Sequence, residues 1–113
     1  MAAGGMPASI PAPIGAPGGA SSYAPPPPLL AAVQQTESGG NPNAVSPKGA
    51  RGLLQVTDAT AANPGYGIAP SNGTMADRYR VGQQYLGTML SKYGTIGGLA
   101  AYNAGPGSWE QHL

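Results

Sequence analysis

With 113 residues, the chain has room for one small domain at most. It contains no cysteine and a lone histidine, His112, so disulfides, thiolate metal sites and a zinc site are excluded, and we expect neither a metal nor a cofactor. The net charge is +1 and only 8% of the residues are charged, so the composition does not indicate a nucleic-acid partner.

The first 28 residues differ in composition from the rest, because they are rich in Pro, Ala and Gly and carry no charge. Such a segment buries too little apolar surface to offset the cost of ordering, and Pro25–Pro28 is expected to form a stiff polyproline II spacer. The N-terminus has no basic residue and no unbroken apolar run, so we expect neither a signal peptide nor a membrane span. The sequence therefore predicts a disordered arm over residues 1–28 and a small all-α domain of four to five short helices over residues 29–113.

The first helix is predicted to begin at the end of the proline run and to end at Gly39-Gly40. Leu30, Val33 and Glu37 follow i, i+3, i+7 spacing, which places the glutamate on the apolar stripe and in the last turn. Partial burial and the negative end of the helix dipole both disfavour a charged carboxylate there, which would leave a glutamic acid able to donate a proton. A solvated glutamate at a fraying helix end is the alternative, and spacing alone does not decide between them.

The middle of the chain, residues 46–62, is predicted to form turns and short helical segments. Ser46–Gly49 has the Pro and Gly positions of a β-turn. Leu53–Val56 is predicted to start a second short helix or helical turn. Thr57 is predicted to be the N-cap of a short helical segment over residues 58–62.

The third helix is predicted to start at a capping box formed by Thr74 and Asp77 and to end at Gly94. Its apolar residues recur at helical spacing and predict one core-facing stripe, which consists of Met75, Tyr79, Leu86, Met89, Leu90 and Tyr93. A fourth helix is predicted to follow, with Ile96, Leu99, Ala100 and Asn103 at i, i+3, i+4, i+7, and to end at residues 105–107.

Three segments, in this order, resemble the soluble (Slt-type) lytic transglycosylases, whose catalytic domain is a goose-lysozyme-like helical domain. They are Glu37-Ser38-Gly39 with Asn41-Pro42-x-Ala44-Val45-Ser46, then Gly49-Ala50-x-Gly52-Leu53-Leu54-Gln55, and Ala100-Ala101-Tyr102-Asn103-Ala104-Gly105-Pro106-Gly107. The family commonly has Met in place of Leu54. The resemblance covers about residues 29–107.

The resemblance implies roles for individual residues. Glu37 matches the catalytic acid/base, and Ser38 matches a residue that orients substrate beside it. Gln55, with the backbone of Gly52, Leu53 and Leu54, matches the floor of the cleft. Tyr102 matches a tyrosine that hydrogen-bonds the catalytic glutamate, and Asn103 matches a polar group that contacts sugar or peptide.

The chemistry that the resemblance implies needs only one carboxylate. Most glycosidases use two, but Asp58 and Asp77 look like helix-start residues and Glu110 falls in an uncertain tail. The resemblance implies cleavage of the MurNAc-GlcNAc bond of peptidoglycan glycan strands, with formation of 1,6-anhydro-MurNAc. Two alternatives stay open: a hydrolytic lysozyme with the same acid, and a non-catalytic wall-binding or virion structural module.

The biological setting is predicted to be a phage virion or the bacterial periplasm and cell wall. The N-terminal arm, or the C-terminal end, would then contact virion or secretion-machine proteins. Family members usually continue past Gly-Pro-Gly with another helix, whereas here only residues 108–113 remain. We therefore expect one of three cases: the domain is unusually compact, another chain supplies the closing helix, or the sequence is part of a longer protein.

Overall fold

The computed structural model describes residues 24–105 and residue 107. Within that part the chain forms three helices, α1 (Pro27–Ser38), α2 (Asp58–Ala62) and α3 (Met75–Ala104). The predicted fold class, a small lysozyme-like all-α domain, is confirmed, although the described residues form fewer helices than expected. Most of the predicted arm and the tail after residue 107 lie outside the described residues, so the division at residue 28 stays a prediction.

The end of the proline run belongs to the first helix. Pro27 and Pro28 are helical, whereas Pro26 is extended (φ −57°, ψ 139°) and Pro25 is buried. The prediction of a polyproline II spacer is therefore wrong for Pro27 and Pro28. The first N–H groups of a helix have no partner within it, so proline loses no hydrogen bond there and its fixed φ suits the helix.

The end of α1 agrees with the prediction. Gly39 adopts a left-handed conformation (φ 64°), and its N–H donates to the Gln35 carbonyl at 2.9 Å. The next N–H, that of Gly40, donates to the Gln34 carbonyl at 3.3 Å. Because glycine lacks a Cβ, the chain can reverse here without strain, which leaves Glu37 in the last turn of α1.

The segment between α1 and α2 is a compact loop rather than a helix. The Ser46–Gly49 turn is confirmed by a 2.9 Å bond from the Gly49 N–H to the Ser46 carbonyl. Arg51 forms isolated antiparallel bridges with both Val45 and Val56. Of the two forms predicted for residues 53–56, the short helix is wrong, because Gly52 (φ 81°) and Gln55 (φ 52°) are left-handed and a right-handed helix cannot pass through them. The segment instead forms a single turn, closed by a 3.1 Å bond from the Gln55 N–H to the Gly52 carbonyl.

Threonine caps begin the other two helices, as predicted. The Thr57 hydroxyl accepts from the Thr60 N–H at 3.2 Å, and the Thr74 hydroxyl accepts from the Asp77 N–H at 3.1 Å. The Asp77 carboxylate pairs with Arg80 at 2.7 Å and accepts from the Asn72 N–H at 2.7 Å. These two interactions, the first being the larger, lower the pKa of Asp77 to about 2.

The apolar stripe of α3 is only partly as predicted. Leu86 and Met89 are fully buried. Met75 is 49% exposed, because it lies in the first turn of α3, next to the surface loop that precedes this helix. Val81 and Tyr85, which lay outside the predicted stripe, are also buried.

Gly94 interrupts α3, where sequence analysis predicted a boundary between two helices. Its φ of 77° and ψ of −178° are not helical, so α3 consists of a first half (residues 75–93) and a second half (residues 95–104). The two halves meet closely: a Cβ at Gly98 would lie 2.6 Å from the Cα of Leu90. Ile96, expected on the inward face, is 81% exposed.

The core is formed by α1, α2, both halves of α3 and the loops that connect the helices. Its buried members are Val33, Leu54, Val56, Ala61, Tyr66, Ile68, Val81, Tyr85, Leu86, Met89, Ala101 and Tyr102. The Tyr85 ring meets that of Tyr66 edge to face and that of Tyr102 at a tilt, with centroids 5.9 Å apart in both pairs. Among the described helices, none has the length and apolar character that crossing a bilayer requires.

Candidate active site

Glu37 lies half-buried in the last turn of α1 and lines two cavities. We call the first, of about 260 Å³, the polar cavity; it is lined by Thr36, Glu37, Ser46, Ala50, Gln55 and Asn103. We call the second, of about 320 Å³, the apolar cavity; it is lined by Leu29, Ala32, Val33, Thr36, Glu37, Leu99, Ala100, Tyr102 and Asn103. The fold thus brings three of the other residues singled out from the sequence, Gln55, Tyr102 and Asn103, to the cavities that Glu37 lines.

Gln55 forms part of the wall of the polar cavity and is only 6% exposed. Its side-chain Nε2 donates to the Ala44 carbonyl at 3.0 Å and to the Gly52 carbonyl at 2.9 Å. Both amide protons are therefore used to brace the loop. The amide holds the left-handed backbone at residue 55 in place, which gives the cavity a fixed wall.

Tyr102 reaches the site from the second half of α3 and is almost fully buried. Its hydroxyl donates to the Leu54 carbonyl at 2.8 Å. Burial and then the negative charge of Glu37 raise the pKa of Tyr102 well above its usual value, so the phenol stays protonated. Since a phenol carries one proton and this one is directed at Leu54, Tyr102 can offer lone pairs to a protonated Glu37. The predicted hydrogen bond between Tyr102 and Glu37 stays a prediction.

Among the described residues, Glu37 is the one acid in the linings of these two cavities. The other described acids lie elsewhere: Asp58 pairs with Arg78 at 2.9 Å and Asp77 with Arg80 at 2.7 Å. Glu110 lies outside the described residues. Within the described part, no three His, Cys, Asp or Glu side chains come together as a group that could hold a metal ion. The site can therefore offer proton transfer at one carboxyl group.

Comparison with known proteins decides the family. The model of the transglycosylase SLT domain matches residues 18–113 of the chain. The chain belongs to the transglycosylase SLT domain family. This confirms the resemblance found in the three sequence segments.

The SLT domain is also similar to longer curated proteins. It is 38% identical over 88 residues to the soluble lytic murein transglycosylase of Escherichia coli (strain K12), and to that of Escherichia coli O157:H7. Each alignment covers 67% of this chain and 13% of the relative, so the chain spans a small part of their length. No solved structure matches the chain significantly.

Three residues that the sequence singled out line neither cavity of this SLT domain. The Ser38 hydroxyl donates to the Gln34 carbonyl at 2.8 Å, and it accepts from the Gly40 N–H at 3.2 Å, which completes the end of α1. Leu54 is a core residue whose carbonyl holds Tyr102, and Gly52 is buried on the far side of the loop. Their predicted roles in substrate binding stay predictions, while the structure shows them supporting the residues around Glu37.

The polar cavity of the SLT domain also contains residues that sequence reasoning had not assigned to the site, namely Thr36, Ser46 and Ala50. The Ser46 hydroxyl accepts from the Lys48 N–H at 3.3 Å and from the Ala50 N–H at 3.1 Å. Because both lone pairs of the Ser46 hydroxyl accept hydrogen bonds, the hydroxyl proton remains available to donate a hydrogen bond. Sequence analysis gave Ser46 as the first residue of a β-turn and as the last residue of the first family-like segment, without a role in the site, and the turn itself is what brings Ser46 to the cavity.

Proposed function

We propose that this domain is a peptidoglycan lytic transglycosylase, which cleaves the β-1,4 bond between MurNAc and GlcNAc and leaves a 1,6-anhydro-MurNAc end. One observation carries the proposal: of the acids in the part of the chain that the structure describes, Glu37 alone lines the two cavities. A glycosidase with two carboxylates needs a second acid across the scissile bond, whereas a substrate-assisted reaction does not. Membership of the SLT family supports the same reaction class.

The proposed reaction uses Glu37 twice. As the protonated acid, Glu37 gives its proton to the glycosidic oxygen, and the bond between that oxygen and the anomeric carbon breaks. The carbonyl oxygen of the substrate's own acetamido group stabilises the anomeric carbon. The Glu37 carboxylate then removes the proton of the muramic C6 hydroxyl, whose oxygen bonds to the anomeric carbon and closes the anhydro ring. Glu37 ends protonated, so no water is consumed.

The surrounding residues have positioning roles in this proposal. Ser46 and Asn103 line the polar cavity and supply hydrogen-bonding groups for sugar hydroxyl and acetamido groups. Tyr102 can accept a hydrogen bond from protonated Glu37 while it stays anchored to Leu54. General acid–base catalysis contributes about 10²–10⁴ in rate, so the rest of the acceleration must come from holding and distorting the strand in the cleft.

The proposal is tested with purified sacculi and the Glu37→Gln variant. We expect muropeptides with anhydro ends from the wild type, and a rate at least about 100-fold lower from Glu37→Gln. Asp77→Asn is the matched control, since it also converts an acid to an amide but lies outside both cavities. It should keep wild-type activity at a temperature where circular dichroism shows that it is folded.

The alternatives give different results in the same assay. Reducing ends in place of anhydro ends, again lost with Glu37→Gln, would identify a hydrolytic lysozyme that uses the same acid. Unchanged wall-clearing activity in Glu37→Gln would show that the acid is not catalytic. Absence of any cleavage by the folded wild type would favour a non-catalytic wall-binding or virion module.

We also propose that the setting is local opening of the cell wall by a phage, with the bacterial periplasm as the competing setting. The support is compositional: the uncharged Pro/Ala/Gly-rich segment of residues 1–28 suits a tether or a contact with other virion proteins. Mass spectrometry of purified virions tests this, since absence of the protein from the particles would contradict a virion component.

A further inference from the structure

The wall of the polar cavity is tied to the start of α3 by an arginine that lines neither cavity beside Glu37. The Arg78 guanidinium donates to the Val56 carbonyl through Nε, at 3.0 Å, and also through Nη2. Val56 directly follows Gln55, which forms part of that wall. None of the roles proposed for Glu37 uses Arg78.

The Val56 carbonyl lies at the base of the turn formed by residues 52–55. Arg51 and Val56 exchange two backbone hydrogen bonds, at 3.0 and 3.1 Å, and the turn lies between them in the chain. Ala50 precedes this pair, Gln55 is the last residue of the turn, and both line the polar cavity. A shift of the base of the turn would therefore move the wall of the cavity.

The helix that carries Glu37 is tied to the same place on α3. The Gln34 side-chain amide donates to the Tyr79 hydroxyl at 2.8 Å, and Gln34 lies three residues before Glu37 in α1. Arg78 and Tyr79 are consecutive residues of α3, so their Cα atoms are about 3.8 Å apart and the helical hydrogen bonds keep their backbones rigid. The acid and the wall are thus both anchored to one rigid step of α3.

The contact of Arg78 with the loop fixes position more than it adds stability. The Val56 carbonyl also accepts from the Arg51 N–H, so it keeps a partner without Arg78. A Cβ at Gly82 would lie 2.9 Å from side-chain atoms of both Leu54 and Val56, so the turn also packs directly on α3. Packing sets how closely the turn approaches the helix. The guanidinium is a planar fork of donors, which fixes the direction in which the carbonyl points.

We propose that Arg78 and Tyr79 are positioning residues, which together set the separation between Glu37 and the Gln55 wall of the polar cavity. This rests on the proposed function, because it takes Glu37 to be the catalytic acid. A displacement of about 1 Å caused far from the reacting atoms can cost about 100-fold in rate. Loss of either contact should lower kcat, whereas KM should change little because the groups that line the cavity all remain.

The kinetic test compares Arg78→Lys and Tyr79→Phe with the wild type on soluble, uncrosslinked glycan strands. Arg78→Lys keeps the charge but loses the fork of donors, and Tyr79→Phe loses only the hydroxyl. Each should lower kcat about 10-fold, less than the full effect of a 1 Å displacement, with KM within about 2-fold of the wild type. The double variant should lose no more than the more impaired single variant, since one contact alone does not fix the separation.

Asp58→Asn is the control, because it changes the other partner of the same guanidinium. Arg78 pairs with Asp58 at 2.9 Å, but the Asp58 side chain is 77% exposed, so this ion pair contributes little. The contact of Arg78 with the Val56 carbonyl remains, so kcat should stay within about 2-fold of the wild type. An equal fall in Asp58→Asn and Arg78→Lys would assign the effect to the ion pair and contradict the proposal.

A second test, backbone hydrogen exchange followed by NMR, is independent of catalysis. Arg78→Lys should speed exchange of the Gln55 and Val56 N–H groups, which close the turn and its base, by about 10-fold. The N–H of Leu86, a fully buried residue of α3, should exchange as in the wild type. An equal rise at Leu86 would show a loss of global stability rather than release of the turn, and would overturn the positioning role.

The outcomes separate this proposal from the proposed function. An unchanged kcat in both single variants, or losses that multiply in the double variant, would overturn joint positioning and leave the transglycosylase intact. If Arg78→Lys does not fold, Tyr79→Phe alone decides, through its separate effects on kcat and KM. Cleavage of no strand by the wild type would overturn the proposed function, and the exchange test would then decide on the Arg78 contact alone.

Discussion

Two regions of the domain are held together in different ways. The loop of residues 39–57 is shaped by polar contacts, such as the brace from Gln55 to two carbonyls, and by left-handed residues such as Gly52. The first half of α3 is held by burial, with Val81, Leu86 and Met89 fully removed from water. The loop positions the groups around Glu37, whereas α3 supplies half of the buried core residues. Variants in the two regions should therefore affect activity and stability in different proportions.

The largest expected change in stability comes from the α3 side of this comparison. Leu86→Ala should lower the free energy of unfolding by about 2–5 kcal/mol, because it removes buried methyl groups and leaves a cavity. Denaturant unfolding followed by circular dichroism measures it. Ile96→Ala, on the same helix but 81% exposed, should change stability by less than about 0.5 kcal/mol. Similar losses in the two variants would contradict the assignment of the core to the first half of α3.

On the loop side, Gln55→Ala should change activity more than stability. Two backbone carbonyls, those of Ala44 and Gly52, lose their side-chain donor, which should cost about 1–3 kcal/mol. The cavity wall is loosened as well, so the rate on sacculi should fall further than in Leu86→Ala, compared where both variants are folded. Gln35→Ala changes an exposed glutamine on α1 and serves as the control. If Gln55→Ala kept wild-type activity, the brace would not position the site.

The smallest effect is expected at the start of α3 and depends on pH. The folded pKa of Asp77, about 2, lies below the value of about 3.9 for an unfolded chain. Its contribution to stability is therefore present above about pH 4 and is lost as the pH falls toward 2. Thermal unfolding of Asp77→Asn should accordingly depend less on pH between 2 and 5 than that of the wild type. Parallel pH profiles for the two proteins would show that the ion pair with Arg80 does not contribute.

Features set by local chemistry could be predicted from the sequence. Thr57 and Thr74 accept from N–H groups three residues ahead, and Gly39 reverses the chain directly after the last turn of α1. The position of Glu37 on an apolar stripe also followed from spacing within one helix. These interactions span four residues or fewer, so neighbouring residues suffice to specify them.

Features that depend on distant packing could not be predicted in this way. Spacing alone placed Ile96 and Met75 on inward faces, yet within the described part of the chain they are 81% and 49% exposed, because spacing does not show which stretch of a helix the rest of the fold covers. The Tyr102 hydroxyl has its partner 48 residues away, at Leu54. Ser46 reaches the polar cavity only because the turn that it begins lies beside the end of α1. None of these contacts has a local signature.

The close approach at Gly98 has a consequence for the width of the polar cavity. Asn103 and Tyr102 both sit on the second half of α3, and the position of that half relative to Leu90 depends on residue 98 having no side chain. A Cβ there would be too near Leu90 for both backbones to stay in place, so the second half would have to move away from the first. Asn103, which lines the polar cavity together with Glu37, lies on the half that would move. The width of that cavity thus depends on a residue that lines neither cavity, and a single added methyl group at Gly98 should change it.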